Sequence, residues 1–125
     1  MATSLGILDV QSFPVATATV ITAGHAVRLG TGGNLVHAGA AAKDVIGIAQ
    51  NSSTATSDAA VRVAVIGTGS PVVILGADVT VGDLLTSDAS GNLVEASTGE
   101  TFIGIATETG VDGQSIRMVG ARGVA

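Results

Sequence analysis

The chain has no cysteine, tryptophan or tyrosine, only two phenylalanines (Phe13 and Phe102), two prolines and one lysine, Lys43. Without cysteine there are no disulfides and no thiolate metal sites. Without tryptophan and tyrosine there are few platforms on which bases or sugar rings could stack. Basic charge is sparse: Arg28, Lys43, Arg62, Arg117 and Arg122 are scattered among ten carboxylates, for a net charge of −5. No basic stripe is present, which argues against nucleic acid as a partner. No apolar run approaches the ~20 residues of a membrane helix, so no membrane partner is expected. The uncharged stretch 63–77 is broken by Gly67, Gly69, Ser70 and Pro71 and reads as two strands around a turn. Met1–Leu5 lacks the basic start of a signal peptide.

What remains is small, apolar and branched. Hydrophobic residues make up 46% of the 125 positions and glycine supplies 18. Valine, isoleucine and threonine suit a pleated, half-buried surface, and glycines suit tight turns. An all-β domain follows, a small sandwich or barrel of about 8–10 short strands. Small side chains give a thin core, at about 25 cal/mol per Å² buried, so partner subunits are expected to add stability.

The chain repeats itself. Thr22, Gly24, Gly33, Asn34, Leu35, Val36 and Ala38 recur 58 residues later as Thr80, Gly82, Gly91, Asn92, Leu93, Val94 and Ala96. Ile46-Gly47-Ile48-Ala49 recurs as Ile103-Gly104-Ile105-Ala106, and Val61-Arg62-Val63 resembles Ile116-Arg117-Met118. Each unit reads as a hairpin (26–29 with 35–37, or 84–87 with 93–95), a third strand (45–49 or 102–106) and a fourth (61–65 or 115–119). The units span about 20–67 and 78–123 of a β-rich domain covering 20–125. Residues 1–19 form an extended N-terminal arm, with apolar Leu5, Ile7, Leu8, Val10, Phe13, Pro14 and Val15. Pro14 argues against a central strand. Such an arm either adds a strand to another subunit or pairs with its own domain.

Chemistry finds little purchase. Gly30-Thr-Gly-Gly and Gly67-Thr-Gly-Ser do not continue into a phosphate loop, and no Gly-x-Ser-x-Gly elbow occurs. His25 and His37 sit at equivalent ends of one hairpin, which leaves them able to face each other across it, but no third ligand accompanies them and both read as surface residues. Asp88-Ala-Ser-Gly-Asn92 lacks calcium-loop spacing and reads as an Asx turn. No catalytic, cofactor-binding or metal-ligating residues are assigned, no cofactor is expected, and the chain is expected not to be an enzyme.

The doubled pattern, clearest in Thr80-Val-Gly-Asp-Leu-Leu-Thr-Ser-Asp-Ala-Ser-Gly-Asn-Leu-Val-Glu-Ala followed by Phe102-Ile-Gly-Ile-Ala, resembles the phage capsid cement, or head decoration, proteins of the DUF2190 type. The resemblance covers residues 20 to 123. It implies a virion protein made in the bacterial cytoplasm that binds the outer capsid surface, bridges major capsid subunits and self-associates, as a homotrimer. It brings no catalytic or cofactor residues. The arm residues Leu5, Ile7, Leu8, Val10, Phe13, Pro14 and Val15 are the expected capsid contacts. The rival readings are a tail, fibre or baseplate β-module and a small-ligand-binding β-barrel.

Overall fold

Each unit is built on a hairpin closed by glycine. In the computed structural model, which describes residues 10–15, 19–53, 60–67 and 69–125, β2 (Ala26–Leu29) turns through a single 3-10 turn at Thr31–Gly33 into β3 (Leu35–His37). In the second unit β7 (Leu84–Ser87) turns into β8 (Leu93–Glu95). The turns close alike: Gly30 N–H donates to Asn34 O at 2.8 Å, and Asp88 N–H to Asn92 O at 2.8 Å. Gly33 and Gly91 both adopt positive φ, 80° and 86°, the backbone that glycine adopts without penalty.

The third and fourth strands are β4 (Gly47–Ala49) and β5 (Ala60–Val65) in the first unit, β9 (Thr101–Ala106) and β10 (Ser115–Val124) in the second. Val10–Pro14 forms β1 and Val72–Ile74 forms β6. These make two five-stranded antiparallel sheets of matching order, β1-β5-β4-β2-β3 and β6-β10-β9-β7-β8. The all-β expectation holds. The arm strand β1 pairs with β5 of its own chain, Phe13 opposite Val61, and occupies the place that β6 takes in the second sheet, Val73 opposite Ile116. It lies at a sheet edge, where the missing N–H of Pro14 costs no ladder bond.

Register repeats as well. Ala26–Ile48–Ala64 form one cross-strand row in the first sheet, and Leu84–Ile105–Val119 form its counterpart in the second. Gly47 and Gly104 are both sites of close approach. A Cβ on Gly47 would strike Ala64 O, and one on Gly104 would strike the Met118 thioether.

Two cores result. The first holds Val15, Ile21, Val27, Leu35, Ala49, Val61 and Val63. Their counterparts Leu75, Val79, Leu85, Leu93, Ala106, Ile116 and Met118 lie in the second, which also takes in Ala26, Ala38, Val45 and Ile48 from the first unit. The middle of the first sheet is therefore buried on both faces, and its back face, at Ala26 and Ile48, closes the second unit's core. The chain beyond β6 helps from the other side: Leu75 bridges in parallel to Leu93 of the far edge strand, curling the second sheet toward closure.

Candidate assembly surface

Among the described residues no group of three or more His, Cys, Asp or Glu is placed to hold a metal ion, and no helix is long and apolar enough to cross a membrane. A cleft of about 260 Å³ at the junction of the units is lined by Ala23, Gly24, Ala49, Gln50, Val72, Ile74 and Ser115. None of these side chains titrates, so the cleft has no acid, base or charged nucleophile to offer.

The histidine pair is structural. The rings of His25 and His37 lie 4.9 Å apart, centroid to centroid. His37 Nε2 accepts from Thr22 N–H at 3.1 Å, so the proton of the neutral ring sits on Nδ1. Burial, and then the neighbouring charge of His25, hold the His37 pKa below its ordinary 6.5. His25 Nδ1 lies 2.9 Å from Ser90 O and donates to it, bridging the two units. In the second unit the counterpart of His25 is Asp83, whose carboxylate accepts from Thr80 N–H at 2.8 Å.

What the molecule does offer is surface for packing. Between the units the contact is directional: the back of the first meets the hairpin flank of the second. Ala26 N–H donates to Gly91 O at 2.7 Å, Ala41 N–H to Ser87 O at 2.7 Å and Ile74 N–H to Gly24 O at 3.1 Å. Ser87 Oγ donates to Gly39 O at 2.6 Å. Arg122 reaches across to Lys43 O and Val45 O. A Cβ on Gly24 would lie 2.8 Å from Ile74, and one on Gly91 2.9 Å from Ala26 O. Burial follows: Ala26, Ile48 and Ala64 are each 0% exposed, whereas Val119 in the matching row is 43% exposed and Leu84 and Ile105 are half-buried.

Of the expected capsid contacts, Leu5, Ile7 and Leu8 lie outside the described residues. Val10 and Pro14 are exposed on β1, Phe13 is half-buried and packs on the first core, and Val15 is 3% exposed within it. Sequence reasoning missed the docking of the units. Its signal is alanine at 26, 38 and 64, where a solvent face calls for polar residues.

The sequence profile of the phage cement protein family matches residues 4–121. No curated protein matches the chain. Among solved structures, the N base of the head fibre gp8.5 of bacteriophage phi29 is similar, with a TM-score of 0.74 and 23% identity over 93% of this chain and 98% of that one.

Proposed function

Because the chain belongs to the phage cement protein family, and is thus a structural protein of the phage capsid, we propose that it binds the outer surface of the assembled shell and bridges neighbouring major capsid subunits. It is made in the host cytoplasm, self-associates as a homotrimer and performs no catalysis. The family match across both units carries this reading. An acidic body rich in short apolar side chains supports it, because such a surface packs closely against protein and repels the phosphate backbone. On a symmetric lattice, linked contacts raise avidity by about 10² to 10⁴ over one contact.

The arm contacts the major capsid protein through Leu5, Ile7, Leu8 and Val10, with exposed Pro14 at the border. Phe13 and Val15 anchor it in the chain's own core. The likeness to a head fibre base favours a second reading, a low-copy base for a longer projection.

Co-sedimentation with undecorated, expanded heads of the source phage, with stoichiometry per major capsid subunit, tests this. Saturable binding at a simple ratio near one to one is expected. A variant lacking residues 1–9 should lose shell binding and keep its melting temperature. A truncated protein that still saturates the shell removes the arm contact. A chain that ignores heads, or is found in tails, sinks the capsid role, and a ratio far below one to one moves it to the fibre-base reading.

A further inference from the structure

The contact between the two units has two non-identical halves, a back face on the first unit and a hairpin flank on the second. Because the units repeat, each half has a counterpart on the other unit, and among the described residues neither counterpart makes the contact that its twin makes. On the second unit the back-face row Leu84–Ile105–Val119 is half-open, with Val119 43% exposed. Its turn glycine, Gly82, has nothing within 4 Å of a built Cβ, whereas Gly24 at the same place is pressed against Ile74. On the first unit the flank is equally open among the described residues. Pro14 and Gly33 are exposed, and Leu29 is 39% exposed where its counterpart Ser87 is 1% exposed. A built Cβ on Gly33 meets nothing, whereas one on Gly91 meets Ala26 O.

We infer that the back face of the second unit takes the hairpin flank of the first unit of another copy of this chain, repeating between chains the contact that joins the units within one. The open back face is apolar, as the closed one is, and is built from larger side chains: Leu84 for Ala26 and Val119 for Ala64. Such a contact is head-to-tail, so every copy offers both halves, and copies close into a ring or continue as a strand according to the rotation at each step. It deepens the self-association within the functional reading and does not depend on capsid binding.

Sedimentation velocity of the full chain, without shells, tests it with Val119→Glu and Leu29→Glu. Pro14→Glu serves as a second flank variant should Leu29→Glu lower the melting temperature. The wild type should associate with rising concentration, and each variant alone should sediment as a monomer. Mixed in equal amounts, a back-face and a flank variant should give a dimer and nothing larger, because together they retain one intact pair of halves. A wild type that stays monomeric overturns the interface, as do variants that associate like the wild type. So does a mixture that yields no dimer, because a two-fold symmetric contact cannot be complemented in this way. A monomer that still coats heads would remove this interface and leave the capsid role standing. An oligomer that ignores heads would do the reverse.

Discussion

The two units share a backbone and differ in what covers it. Gly24 N–H donates to Ala49 O at 2.8 Å and Gly82 N–H to Ala106 O at 2.9 Å. Ala38 N–H donates to Ala26 O at 2.9 Å and Ala96 N–H to Leu84 O at 2.7 Å. Yet the row Ala26–Ile48–Ala64 is sealed against a neighbour, while Leu84–Ile105–Val119 is half-open. The hydrogen-bonded frame tolerates either environment. The side chains on one face decide whether a unit is an inner or an outer layer, and small residues mark the face that must approach another sheet closely.

The sharpest way to break that comparison is to truncate the matched isoleucines. Ile48→Ala leaves a cavity at a fully buried site and should cost about 2–5 kcal/mol. Ile105→Ala, at the half-open counterpart, should cost about 1 kcal/mol in dilute protein. Denaturant titration of both variants checks this, and equal losses would mean that the two faces are equally covered. A smaller gap is expected at the turn glycines. Gly33→Ala meets only the penalty of positive φ, about 1 kcal/mol. Gly91→Ala meets that penalty and also Ala26 O at 2.9 Å, so it should cost at least about 1 kcal/mol more. Matching melting temperatures for the two would contradict the tight seam between the units.

Much of this frame is legible in the residues. The Gly-Asn-Leu-Val recurrence locates both hairpins, because a turn glycine followed by alternating apolar residues has few other uses. The third and fourth strands follow from branched residues, and the observed β4 begins two residues later than the expected 45, at Gly47. The partner of the arm is harder to read. An apolar segment with a proline fits any sheet edge, and only the pairing of Val10–Pro14 with β5 distinguishes its own chain from another. The layering is hidden for a similar reason. In β5 the alternation of Val61, Val63 and Val65 with Arg62 and Ala64 reads as one buried and one open face. Ala64 is nonetheless 0% exposed, because a residue this small does not declare whether it meets solvent or a second sheet. The candidate contact surface was legible only as composition. Its two halves are single apolar positions, from β1 and β2 on the first unit and from β7, β9 and β10 on the second, and the fold alone groups each half.

The smallest expected effect sharpens the comparison at one backbone donor. Thr22 N–H is satisfied by the imidazole of His37, whereas Thr80 N–H is satisfied by the carboxylate of Asp83. Protonating His37 at Nε2 removes the acceptor and places a cation beside His25. Burial of the ring, and then the neighbouring charge of His25, hold the His37 pKa below 6.5 in the folded state, which therefore binds fewer protons than the unfolded chain. Stability from this group is complete above 6.5, and it is lost as pH falls from there through the folded-state pKa. The melting temperature should drop modestly between neutral pH and about pH 5. His37→Gln keeps an acceptor oxygen that does not titrate in this range, so it should flatten that part of the profile. Thermal unfolding of both proteins across this range decides the point. Parallel profiles would mean that the imidazole is not the group that distinguishes the first unit's cap from the second's.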